Sequence, residues 1–154
     1  MMRRTTQFSL FLIAVLTFLA ASVLAQQAAS AEQQLFHAVN QERKVHGLPI
    51  LKSDEALSNA ARKHAQRMAA RGSASHQFPG EPNQLALARA AGAHFSWLSE
   101  NVDEGPNAAV VHQNFMKSPL HRANILDSDM DSVGIGIVER DGNLFAVEDF
   151  SRAK

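Results

Sequence analysis

The sequence predicts an α+β fold, with helices packed on a small antiparallel sheet. Two observations carry this. Apolar residues recur at helical spacing through most of the chain, clearest at Leu57, Ala60, Ala61, His64, Ala65 and Met68. Near the end the period becomes two: Val133 to Val138 alternates, Arg140-Asp141-Gly142-Asn143 makes a turn, and Leu144 to Phe150 returns. Helices first and a closing hairpin last is the order of a fold that lays helices on an antiparallel sheet.

The first 25 residues read as a secretory signal peptide. Arg3 and Arg4 give a basic start, Phe8 to Leu24 is almost wholly apolar, and Val23-Leu24-Ala25 offers small residues at −3 and −1. An apolar run of about 17 residues is at the short end for a membrane span. Cleavage after Ala25 takes two of the 15 basic residues and none of the 15 acidic ones, for a net charge of about −2 with neutral histidines. A nucleic-acid binder would usually be basic. There are no cysteines, which excludes disulfides, thiolate zinc sites and an N-terminal lipidated cysteine. The expected mature protein is a soluble extracytoplasmic monomer, secreted or periplasmic, with no nucleic-acid partner.

Residues 26–31 read as a short linker, and residues 32–152 as one domain. A first helix begins near Glu32, with Leu35 and Val39 on one face, and ends at Gly47; Pro49 prevents a restart. Ser53 is the expected cap of the second helix, with Asp54 and Glu55 in the first turn, where the helix dipole favours acids. Gly72 closes it. His64 lies on its buried stripe and reads as a hydrogen-bonded core histidine. Ser73 to Asn83, containing His76, is a loop. Gln84 to Ala91 is a short helix, Ser96 to Val102 is partly extended, and Asn107 to Lys117 is helical with Ala108, Val111 and Phe115 inward. Ser118-Pro119 opens another helix: proline biases the residue before it toward the extended conformation of an N-cap, and itself fits the first helical position. Ser118 would then bond a backbone N–H at Leu120 or His121. His121 falls in the first turn, where the positive helix end disfavours imidazolium and leaves a ring able to bind metal or accept a proton.

Asp127, Asp129 and Asp131 alternate like the start of a calcium loop. Ser132 and Val138 occupy the positions that need glycine and glutamate, so the segment reads as a solvated acidic loop. Gly134 and Gly136 alternate on one strand face and are read as admitting a closely packed helix.

HGLPIL (His46 to Leu51), the helix ending MAARG, SH (Ser75-His76), SEN (Ser99 to Asn101), SPLHRANIL (Ser118 to Leu126) and VGIGIV (Val133 to Val138) follow in one order. Together they make the chain resemble the CAP superfamily, the cysteine-rich secretory protein, antigen 5 and pathogenesis-related group with its SCP domain, in a cysteine-free bacterial form. The resemblance runs from about Leu35 to Phe150. It implies an α-β-α sandwich with a surface cleft, in which members often hold two histidines and two glutamates. His76 and His121 match the histidines and Glu100 the first glutamate. The second glutamate has no counterpart in Phe115-Met116-Lys117-Ser118, and Phe115 stands where tryptophan is common. Glu148, on the last strand, is a candidate replacement.

The resemblance implies that His76, Glu100 and His121 form a ligand-binding cleft. Two imidazoles and a carboxylate suit a divalent metal such as zinc, with His76 and His121 as ligands. The expected function is an extracytoplasmic binding or interaction module for a lipid, glycan or protein ligand. The alternative is a hydrolase of envelope or extracellular substrates, with His76 or His121 as a general base oriented by Glu100. With neither a GxSxG elbow nor an HExxH motif, the reading leans away from an enzyme.

Overall fold

The computed structural model describes residues 26–152, so the expected signal peptide, 1–25, lies outside the described residues. The described chain begins in a helix, α1, spanning 26–45. Residues 26–31, expected as a linker, are therefore helical. The reason is visible in the packing: Ala31 is buried, and Ala28 packs on the same cluster as Leu35 and Val39. There follow β1 (Lys52–Ser53), α2 (Glu55–Arg71), α3 (Gln84–Ala90), β2 (Trp97–Gly105), α4 (Ala108–Lys117), α5 (Pro119–Ile125), β3 (Ser132–Arg140) and β4 (Asn143–Arg152).

Helix starts follow local side-chain chemistry. Asp54, not Ser53, caps α2, accepting from the Leu57 N–H at 3.0 Å. Ser53 is unavailable because it belongs to β1, paired with Val133. Asn83 caps α3 and Asn107 caps α4 in the same way, each satisfying an N–H that the first turn leaves free. Gly72 ends α2 with φ of 69°, a conformation that glycine adopts without steric cost. Ser118 has the extended backbone of an N-cap and Pro119 stands at the start of α5, but the Ser118 side chain makes no capping bond. The proline, rather than the serine hydroxyl, starts this helix.

The strands form one sheet in the order β1-β3-β4-β2. The hairpin lies where expected, with Arg140 paired to Asn143 across Asp141-Gly142, both at positive φ (54° and 77°). This is the backbone that suits the twist of a two-residue hairpin. The sheet is mixed, not purely antiparallel, because the two-residue β1 runs parallel to β3.

Alternation along β3 and β4 divides the core. Val133, Ile135, Ile137, Leu144, Ala146 and Phe150 face α1, α4 and α5, meeting Leu35, Val39, Val111, Phe115 and Ile125. On the other face Phe145 and Val147 meet Ala61, Ala65 and Met68 of α2, which in turn packs on α3 through Leu57 and Leu87. The result is the three-layer α-β-α arrangement. Gly134 and Gly136 let α2 lie against the sheet: a Cβ on the first would overlap Leu57 and Ser58, and on the second the backbone of Ala61 and Arg62. Gly136→Ala should therefore push α2 off the sheet and cost about 3 kcal/mol, read as a lowered Tm. An unchanged Tm would mean that the helix does not sit this close.

Among the described residues, β3 has no strand on its outer side beyond its short pairing with β1. Two of its edge N–H groups are taken by side chains instead. Ile135 donates to Ser58 Oγ at 3.2 Å, and Ile137 to Glu32 Oε1 at 3.1 Å, while Arg62 holds the Glu32 carboxylate at 2.8 Å.

Candidate functional site

His76 is carried by the loop between α2 and α3, and that loop is tied down from below. His64, buried as expected, donates from Nε2 to the Ser75 carbonyl at 2.8 Å. Ser75 directs its hydroxyl to the Gln77 carbonyl, and Gln77 reaches the Glu81 carbonyl. Phe78 packs between the His64 ring and the Arg71 guanidinium. The backbone on either side of His76 is thus fixed while its ring remains exposed.

Glu100 lies on β2, with its side chain only 6% exposed. Its Oε1 accepts from His76 Nδ1–H at 2.8 Å, and its Oε2 is buried without a partner. The bond sets the His76 tautomer and leaves Nε2 as the free ring nitrogen. The hydrogen bond to Glu100 raises the His76 pKa above the ordinary imidazole value, with burial opposing and the Glu100 charge assisting. His121, on α5, has its ring centroid 6.3 Å from that of His76, and meets Phe115 edge-to-face at 5.3 Å. Its pKa is lowered, as expected, but burial is the largest cause, the neighbouring His76 charge comes second, and Asp103 opposes both. The structure therefore brings His76, Glu100 and His121 together, with the two imidazoles biased to opposite protonation states.

Glu148 does not join them as an equivalent acid. It is fully buried, its Oε2 accepts from Asn101 Nδ2 at 3.1 Å, and its Oε1 has no partner. Burial pushes its pKa up to about 8, with the Asn101 bond opposing. The acid whose charge reaches His121 is Asp103, held by Asn114 of α4 at 2.8 Å. On the opposite face of the sheet Asp149 is paired in register with Glu100 and buried against Gln84 of α3. Burial raises its pKa well above the usual carboxylate value, and the Glu100 charge adds to this. Sequence reasoning missed Asp103, Asp149 and Gln84. Period-two alternation along β2 was the available signal for Asp103, which shares a face with Asn101.

These residues define how a metal could be held. A carboxylate on one nitrogen of a ligating imidazole is the usual outer-shell arrangement, which orients the ring and strengthens the other nitrogen as a donor. In such an arrangement Glu100 would take the supporting role, and His76 and His121 would be the direct donors. Among the described residues no group of three or more His, Asp or Glu side chains is arranged to hold a metal ion. Two imidazoles alone do not make a closed structural zinc cage, and an ion held by them would keep open positions.

The comparisons agree with this architecture. The family model described as the cysteine-rich secretory protein family, CAP, matches residues 36–150. The uncharacterised protein YkwD of Bacillus subtilis (strain 168) is 31% identical over 109 residues, which are 70% of this chain and 42% of that protein. The chain thus spans less than half the length of that curated relative. Two solved structures share the fold. One is an extracellular protein containing an SCP domain from Bacillus anthracis, with TM-score 0.78 and 24% identity, covering 84% of this chain and 42% of the other. The second is an outer surface protein of Borrelia burgdorferi, with TM-score 0.74 and 20% identity, covering 81% of this chain and 94% of the other. Motif order, three-layer fold and family match agree, and the chain belongs to the CAP family, the cysteine-rich secretory proteins, in a form without cysteine.

Proposed function

We propose that this chain is an extracytoplasmic binding module whose His76–His121 cleft takes a divalent cation such as zinc together with a small oxygen-bearing ligand. One observation carries the reading: two imidazoles 6.3 Å apart, one oriented from behind by a buried carboxylate. A bound zinc ion would supply a Lewis-acidic anchor for a ligand oxygen at the positions that the protein leaves open. His76 and His121 would hold it, and Glu100 would fix the His76 ring. The extracytoplasmic location rests on the signal-like residues 1–25 and on relatives described as extracellular or outer surface proteins. No helix among the described residues is long and apolar enough to cross a membrane. The hydrolase alternative draws on the same His76–Glu100 pair and gains no nucleophile from Ser75, whose hydroxyl is bonded to Gln77.

The test is thermal unfolding with and without zinc. At pH 7.5 zinc should raise Tm by several degrees, and the shift should fade near pH 5 as the imidazoles protonate. His121→Ala should lose most of the shift. A variant that keeps all of it would sink the assignment of His121 as a ligand.

A further inference from the structure

We infer that Asn101 is a positioning residue for the binding pair, setting where α5 presents His121. Two of the motifs, SEN and SPLHRANIL, each contain an asparagine that the cleft itself does not use: Asn101 and Asn124. The structure brings the two together. Asn101 is fully buried. Its Nδ2 donates both hydrogens, to the His121 carbonyl and to Glu148 Oε2, each at 3.1 Å. Its Oδ1 accepts from Asn124 Nδ2 at 2.8 Å, and Asn124 donates its other hydrogen to the Glu100 carbonyl at 3.2 Å.

The bonding leaves no freedom in how either amide is turned. Asn124 donates twice, so its amide nitrogen must face β2. Asn101 accepts once and donates twice, so its oxygen must face Asn124 and its nitrogen must face His121 and Glu148. Aspartate at position 101 would lose both donated bonds, and glutamine would be one carbon too long for them. The pair joins the backbone of Glu100 to the backbone of His121. These are the residues whose side chains make the two halves of the cleft.

The tie acts at the start of a helix whose other holds lie beyond His121, where Arg122 bonds His46 and Arg43 bonds the Ile125 carbonyl. α5 has seven residues, its buried side chain is Ile125 near its far end, and Ser118 gives it no side-chain cap. Leu120, beside His121, is 80% exposed. Near His121 the asparagine bond fixes the backbone, and the Phe115 ring then limits where the imidazole can turn. The inference rests on the binding-pair reading for its functional meaning, but the geometry can be tested without it.

The experiment uses Asn101→Ala and Asn124→Ala, the second removing only the outer half of the tie and so guarding against a variant that fails to fold. Proton NMR at pH 8 follows the imidazole protons of His121 and their cross-peaks to Phe115. The His76 Nδ1–H resonance serves as an internal reference for the Glu100 bond. Zinc affinity is measured on the same samples. Both variants should weaken the His121–Phe115 cross-peaks and leave the His76 resonance in place. Zinc affinity should fall about tenfold, the usual scale for loss of a supporting contact. A folded Asn124→Ala or Asn101→Ala protein with the His121–Phe115 contact intact would overturn the inference. If wild-type protein binds no zinc, the binding reading fails, and the NMR contact alone decides whether Asn101 positions His121.

Discussion

Arg43→Leu should lower stability by about 4 kcal/mol and Tm by more than 10 °C, measured by thermal or urea unfolding. Arg43 is fully buried, and its guanidinium satisfies four backbone carbonyls. Nε donates to Pro49 at 2.8 Å; Nη1 donates to Ile125 at 2.9 Å and to Asp127 at 2.8 Å; Nη2 donates to Met130 at 3.1 Å. One side chain thus joins the end of α1 to the connector before β1, the end of α5 and the acidic loop. Leucine replaces the bulk but leaves four carbonyls without these donors, and buried acceptors without partners cost about 1–3 kcal/mol each before relaxation. Arg43→Lys should recover little, because an ammonium cannot spread three nitrogens over four acceptors. A lysine variant as stable as wild type would show that charge alone, and not the planar fork, fills this role.

The second large effect is on pH. In the folded protein Glu148 titrates at about 8, against the ordinary 4.5 that it regains on unfolding. Between these values the folded state binds a proton that the unfolded state releases. Its contribution is therefore fully present below pH 4.5 and is lost as pH rises through 8. The slope reaches about 1.4 kcal/mol per pH unit, and the whole swing has an upper limit of about 4–5 kcal/mol. Glu148→Gln keeps the shape and an acceptor for Asn101 but carries no charge. It should be more stable than wild type at pH 8.5 and should flatten the profile. Asp149 shifts in the same direction, so some slope should remain in the variant. Identical profiles for wild type and Glu148→Gln would refute the assignment of a buried proton to Glu148.

Much of the fold was legible where the cause is local. Gly72 stops α2, Asp141-Gly142 turns the hairpin, and Gly134 and Gly136 announce a helix packed closely on the sheet. Each depends on a few neighbouring atoms. The cleft residues His76, Glu100 and His121 were legible only through motif order, since they lie far apart in sequence and no local spacing joins them. What escaped depends on register. Asn101 pairs with Glu148, and Glu100 with Asp149, only because β2 lies antiparallel to β4 in one of many alignments. Arg43 escaped for a related reason: an arginine reads as solvated until its four carbonyl partners, three of them more than 80 residues away, are known. Ser118 is the N-cap that was expected, but its hydroxyl makes no capping bond, because proline alone suffices to begin the helix.

The side chains along the outer edge of β3 also bear on how the protein behaves in a crowd. An open strand with free amide groups is a template on which another chain can build, the first step toward edge-to-edge aggregation. Here Ser58 and Glu32 occupy the amides of Ile135 and Ile137, and Arg62 keeps Glu32 in place. To bond these two amides an incoming strand would have to displace the Ser58 hydroxyl at one and the Glu32–Arg62 ion pair at the other. The three-layer domain therefore carries its own guard against polymerisation, without a disulfide and, among the described residues, without a further strand.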